Sequence, residues 1–324
     1  MKLPRRQFLH LAAGAALLPA FVSAQAYPSR PVKIIVGQAA GSASDLVARV
    51  IAQFLSEKLG QQFLVEVRPG AAGNIATEAV SHMPPDGYTL LLVNSQNAIN
   101  VALYEKLSFD FVRDITPVGR VESVPLVMEV HQSVPAKTIP EFIAYAKANP
   151  GKLNMASAGI GGPQQHIAGE LFKFMAGVDL THIPYKGSTP AVTDLVAGQV
   201  QVMFDVTPTS LPHIKAGKLR ALGVTTTEPL GFLPDVPTID SFLKGYEAAG
   251  WIGFGVPRGT PPEIIVTLNR QTNAAVLDPN VKQRIADLGA VAVLPNSPDE
   301  FAKFIAQNID KWTKVIKFAG IKPQ

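Results

Sequence analysis

Two short stretches combine glycine with hydroxyl side chains in a way that suits anion binding. They are Gly41-Ser42-Ala43-Ser44-Asp45 and Ser157-Ala158-Gly159-Ile160-Gly161-Gly162. Each follows an apolar run of strand type and opens a helical pattern. Glycine lets backbone N–H groups approach a ligand closely. The first turn of a helix adds unpaired N–H donors at the positive end of the helix dipole. A carboxylate or small dianion can be held this way with no formal positive charge. Each stretch also reads as an ordinary helix cap, and the sequence leaves both readings open. Neither is a nucleotide loop. Gly159 and Gly161 lack the third glycine, Gln164 standing in its place, and no Gly-x-x-x-x-Gly-Lys, His-Glu-x-x-His or Gly-x-Ser-x-Gly occurs.

Other candidates gather around these loops. Asp45 caps its helix or meets a ligand amine. Asn94, Ser95 and Gln96 end an apolar strand as neutral hydrogen-bonding groups. His166, one turn into the second loop's helix, is either structural or in touch with ligand. Asp205 follows a strand end and either meets a ligand amine or hydroxyl or is a solvated loop acid. Arg68, before Pro69-Gly70, is an anion ligand or half of a surface ion pair. Trp251 and Trp312 are expected in the core or at a hinge. The remaining histidines, His82, His131, His182 and His213, show no metal-ligand spacing, and there is no cysteine. Disulfides, thiolate nucleophiles and cysteine metal sites are excluded, so neither a cofactor nor a metal is expected.

The elements that must position these groups follow a repeating order. Apolar strands are expected over 31–36, 63–67 and 88–93, with helices over 45–59 and 74–83 between them. Leu46, Val47, Val50, Ile51, Phe54, Leu55 and Leu59 fall on one helix face, and Gly60 stops that helix. The pattern recurs with strands over 152–156, 181–184, 200–204 and 219–224 and helices over 163–175, 190–197 and 211–216. Apolar strands alternating with helices imply parallel, doubly wound sheets. The C-terminal part reads as three helices, over 262–277, 280–288 and 298–319. The last carries a stripe of Phe301, Phe304, Ile305, Ile309, Trp312 and Ile316 that needs a partner surface, taken to be the first unit. Segments 118–130 and 251–256 would then cross between units. Two crossings imply two hinged lobes around a cleft: lobe 1 from 27–122 plus 250–324, and lobe 2 from 123–249.

The chain has 324 residues, 47% hydrophobic and 17% charged, which excludes intrinsic disorder. Residues 1–26 read as an export signal. A basic start with Arg5-Arg6, of twin-arginine type, leads into an apolar run from Leu11 to Val22 and an Ala24-Gln25-Ala26 exit. The run is shorter than the roughly 20 residues of a membrane span. Cleavage removes Lys2, Arg5 and Arg6 and no acid, lowering the 29 basic residues to 26 against 25 acidic ones. With that balance and no clustered basic face, nucleic-acid binding is not expected.

The chain resembles the solute-binding proteins of tripartite tricarboxylate transporters, the Bug family. The resemblance rests on Tyr27-Pro28-Ser29-Arg30-Pro31, Gly41 to Arg49, Arg68-Pro69-Gly70-Ala71-Ala72-Gly73 and Pro85-Asp86-Gly87-Tyr88. It continues through Pro184-Tyr185-Lys186-Gly187, Ala216-Gly217-Lys218-Leu219-Arg220 and Pro234-Asp235-Val236-Pro237-Thr238, in collinear order. It implies a two-lobed type II periplasmic-binding-protein fold, a Venus flytrap, that captures small organic acids without catalysis. It also implies one jaw of Gln38, Ala40, Ser42, Ser44 and Asp45 and another of Ser157, Gly161, Gly162 and His166. Two positions depart from the family pattern: Gln38 stands where an aromatic would pack on ligand, and Val67 stands where asparagine is usual. The expected protein is a monomeric periplasmic receptor for a di- or tricarboxylate, an acidic amino acid or an aromatic acid. It would serve membrane transporter subunits or a sensor kinase. The competing class, a secreted α/β enzyme acting on a small carboxylate, needs an activated nucleophile or acid–base pair, and no motif for one is visible.

Overall fold

The structure is a computed structural model and describes residues 27–158 and 164–321. The export signal expected at 1–26 and the loop glycines Gly161 and Gly162 lie outside the described residues. From the N-terminus the elements are β1 (Val32–Val36), α1 (Ala43–Leu59), β2 (Phe63–Val67), α2 (Asn74–Ser81), β3 (Thr89–Asn94), α3 (Ser95–Leu103), α4 (Phe111–Asp114) and β4 (Ile115–Val124). They continue as β5 (Leu126–His131), α5 (Ile139–Ala148), β6 (Asn154–Ser157), α6 (Gln164–Ala176), β7 (Thr181–Pro184), α7 (Ser188–Val196), β8 (Val202–Val206), α8 (Thr207–Lys215) and β9 (Leu219–Val224). The chain ends with β10 (Gly250–Pro257), α9 (Pro262–Leu277), α10 (Pro279–Asp287), β11 (Val291–Ala292) and α11 (Pro298–Phe318).

Two sheets result, ordered β11-β4-β10-β3-β1-β2 and β7-β6-β8-β5-β9. The expected parallel pairing holds within each repeat, where β1 lies between β2 and β3 and β6 lies between β7 and β8. The sheets as wholes are mixed, because the crossing strands run the other way. β10 is antiparallel to β3 and β4, and β5 is antiparallel to β8 and β9. The crossings are β4 into β5 at Val124–Leu126 and the return into β10 at Gly250.

Periodicity explains most of α1. Val47, Val50, Ile51, Phe54 and Leu55 are buried against the sheet, although Leu46 is exposed. Ser42 Oγ accepts from Asp45 N at 3.3 Å to start the helix. Gly60 stops it in a left-handed conformation, φ 70°, closed by Gly60 N donating to Ser56 O. Three helices lie outside the expected set, α3, α5 and the single turn α4. Ser95–Leu103 carries Ser95, Asn97 and Asn100, poor helix formers for which caps matter. A capping box formed by Asn94 and Asn97 supplies one.

The apolar stripe of α11 behaves differently from expectation. Phe301, Trp312, Val315 and Ile316 do pack on the first unit, but they also join one core with Ile167, Leu171 and Phe172 of α6. Phe174 of α6 meets Phe318 of α11 edge-on at 4.9 Å. The last helix therefore serves both lobes. Its length, 21 residues, lets it reach α3 and α6 together. Trp251 is buried at the start of the return strand, its Nε1 donating to Asn308 Oδ1 at 3.2 Å.

Candidate functional site

A cavity of about 480 Å³ opens at the ends of β1 and β3, beside the point where β10 begins. Gln38, Ala43 and Ser44 supply one wall, from the end of β1 into α1. The loop Pro69, Gly70, Ala72 and Gly73 supplies a second. Asn94, Ser95 and Gln96, at the β3–α3 junction, form a third. Gly250, Trp251 and Ile252 close the hinge side, and Gln164 of α6 is the residue that reaches in from the helices of the five-stranded sheet. Among these lining residues there is no charged side chain.

The starts of three helices border this space. α1 is capped by Ser42, and α3 by its capping box. α2 begins after Gly73 with no side-chain cap. The loop before it holds Ala71 and Ala72 at φ 45° and 53°, a left-handed conformation rare for alanine. Asn100 secures that loop, its Nδ2 donating to Ala72 O at 3.0 Å and to Asn74 Oδ1 at 2.7 Å.

Of the residues singled out from sequence, Gln38, Ser44, Asn94, Ser95, Gln96 and Trp251 come together around the cavity. Ala40 is exposed and lies outside the lining, and Ser42 is occupied as a cap. Asp45 is buried and turned into its own loop, accepting from Gly41 N at 2.8 Å and standing 3.0 Å from Arg49 Nε. Burial pushes its carboxyl up, but the Gly41 N–H and Arg49 outweigh it and hold the group below the usual carboxylate range. Arg68 is half of an ion pair, 2.6 Å from Glu66 Oε1 through Nη2. Val67 is half-buried at the end of β2 and does not line the cavity.

The second lobe's candidates form separate networks. Ser157 is buried at the end of β6, its Oγ 2.6 Å from His182 Nε2. The His182 ring stacks on His166 with centroids 3.8 Å apart, and His166 stands 3.6 Å from Glu170 Oε1. Burial and the neighbouring His166 push the His182 imidazole down to about 4. Asp205 is fully buried at the end of β8, which excludes a solvated loop acid. Its Oδ1 accepts from Ser188 Oγ at 2.6 Å and from Gln165 Nε2 at 3.5 Å. Burial raises its pKa above the usual range. Asp205 thus ties β8 to the starts of α6 and α7. No group of three or more acids and histidines able to hold a metal ion occurs among the described residues.

Sequence reasoning missed Gln164, Gly250 and Ile252. Their position depends on the return of β10, about 90 residues after α6 begins, and no local signal marks that.

Two lobes on mixed α/β sheets, crossed at β4–β5 and β10 and sharing a cavity beside the crossing, define a periplasmic-binding-protein class of receptor. The chain belongs to the tripartite tricarboxylate transporter receptor family, whose model matches residues 47–321. Protein BugT of Bordetella pertussis is 38% identical over 304 residues, 93% of each chain. Among solved structures, Rpa4515 of R. palustris with adipate is 36% identical with a TM-score of 0.73, covering 92% of this chain and 100% of that one. MatC of Rhodopseudomonas palustris with bound malate is 33% identical with a TM-score of 0.69, covering 90% and 100%. The family and these neighbours are solute-binding receptors, not enzymes.

Proposed function

We propose that this chain is an extracytoplasmic receptor that captures a small organic carboxylate in the cavity beside the hinge and delivers it to a membrane transporter. One observation carries the reading: three helix starts border a single cavity whose lining, among the described residues, has no charged side chain. Aligned N–H dipoles favour an anion there, and no lining carboxylate opposes it. The adipate and malate held by its relatives support the same chemistry. Lobe 1, 27–122 with 250–324, holds most of the lining residues, and lobe 2, 123–249, adds Val124 and Gln164. Binding shifts the hinge equilibrium toward a closed form, and the membrane partner reads that form. The receptor acts as a monomer in the periplasm after removal of residues 1–26.

A thermal-shift screen tests this with mono-, di- and tricarboxylates, amino acids and pyridine carboxylates, and with neutral sugars as controls. An acid at 100 times its Kd is expected to add about 2.7 kcal/mol of stability and to be recovered unchanged. Stabilisation by sugars alone, or turnover of the acid, would overturn the reading.

A further inference from the structure

Asn100 of α3 sits behind the cavity wall. It is buried and is not one of the lining residues, yet two of its three partners are. Its Nδ2 donates to Ala72 O at 3.0 Å and to Asn74 Oδ1 at 2.7 Å. The Ala72 carbonyl only accepts, which fixes the way the amide faces. Oδ1 therefore faces Gln96 and accepts from its Nε2 at 2.7 Å. Asn97, three residues earlier on the same side of α3, joins the clamp by donating from Nδ2 to Thr77 Oγ1 of α2 at 2.9 Å. The loop held in this way is strained. Gly70, Ala71, Ala72 and Gly73 have φ of 138°, 45°, 53° and 91°, four positive values in succession. Glycine takes that conformation freely, whereas an alanine Cβ crowds the next carbonyl oxygen there. Ala71 and Ala72 are both exposed, so burial of their methyl groups does not force this form on them.

Resting on the reading of this cavity as the solute site, we infer that Asn100 is a positioning residue for solute binding. It does not touch the solute. It holds Ala71 and Ala72 in the left-handed form that shapes one wall, and it aims the Gln96 amide on another. Without it the two alanines fall back to ordinary backbone regions and the wall loses its shape. Binding then draws only on the molecules still in shape, and the apparent affinity falls by that fraction.

A double-mutant cycle between Asn100→Leu and the pair Ala71→Gly/Ala72→Gly tests this. Glycines remove the strain that Asn100 holds down. Isothermal titration with succinate, malate and adipate reads affinity in all four proteins. Hydrogen exchange across 70–76, followed by mass spectrometry without solute, reads the loop itself. Asn100→Leu is expected to speed that exchange while β1 stays protected, and to weaken the tightest of the three acids about tenfold, the size of one net hydrogen bond. In the glycine background the same substitution is expected to cost no more than about threefold, the remainder coming from the released Gln96 amide. A purely structural role would lower stability but leave the affinity of the folded protein unchanged. Asn100→Asp, which keeps the shape and the acceptor for Gln96 but loses the Nδ2 donor, replaces Asn100→Leu should that variant fail to fold. Unchanged affinity, unchanged exchange, or an equal loss in both backgrounds overturns the assignment and leaves carboxylate binding standing. Failure of the unsubstituted protein to bind any of the three acids counts against the carboxylate reading instead, and the exchange of 70–76 still decides whether Asn100 holds the loop.

Discussion

Replacing Glu122 by glutamine should change how stability depends on pH. Glu122 lies on β4, two residues before its end, and is fully buried. Neither carboxyl oxygen has a hydrogen-bond partner among the described residues. Burial pushes its pKa from 4.5 up to about 8. The folded state therefore keeps a proton that the unfolded chain releases near pH 4.5. Its contribution is fully present below pH 4.5 and is lost as pH rises towards 8, at about 1.4 kcal/mol per unit. Between pH 5 and pH 7.5 the loss amounts to about 3 kcal/mol. Glutamine keeps the size and the neutral state but does not titrate. Urea denaturation of both proteins at the two pH values reads the difference. Glu122→Gln is expected to gain about 3 kcal/mol on the unsubstituted protein between pH 5 and pH 7.5. Any fixed cost of the buried amide cancels, since only the change with pH is compared. Parallel pH profiles would refute the reasoning and mean that Glu122 is ionised in the fold.

Other substitutions probe the cap, the hinge and the second lobe. A Cβ added at Gly250 would run into Gln164 Oε1, so Gly250→Ala should swing that amide off Ala248 O. The expected result is weaker ligand binding by titration with a stability loss of about 1 kcal/mol; unchanged affinity would contradict it. Ser42→Ala removes the α1 cap and should cost about 1 kcal/mol in urea denaturation. Asp205→Asn keeps an acceptor for Ser188 and Gln165 and should stay within about 1 kcal/mol of the parent, while Asp205→Leu should lose about 1–3 kcal/mol. Equal damage from both would show that Asp205 acts through its charge.

The repeating strand–helix order was legible because β1, β3 and α1 bury whole apolar runs or stripes. Gly60 also announced its helix end. The parallel pairs followed from that order, whereas the antiparallel crossing strands did not, since direction on return to a sheet has no local signature. α3 was hidden because Ser95, Asn97 and Asn100 disfavour a helix until the capping box of Asn94 and Asn97 starts it. At the site, the glycine–serine loop pointed to Ser44 and the end of an apolar strand to Asn94, Ser95 and Gln96, whereas Gln38 came from the family resemblance. Spacing along the chain could not foresee that Asp45 is spent on Gly41 and Arg49, or that Ser157 meets His182 across a neighbouring strand. Gln164 escaped because its partners, Ala248 and Gly250, lie far along the chain. The burial of Glu122 was equally invisible, since an acid within a strand looks the same whether it faces water or core.

The most direct test of the central claim is a crystal structure of the protein with the acid that binds it most tightly. That acid is expected in the cavity between Gln38, Asn94, Ser95 and Gln164, its carboxylate on backbone N–H groups at a helix start. A second cavity of about 360 Å³, lined by Arg120, Ser123 and Thr226, lies elsewhere between the lobes. An acid found there on the Arg120 guanidinium, with the first cavity empty, would contradict the account.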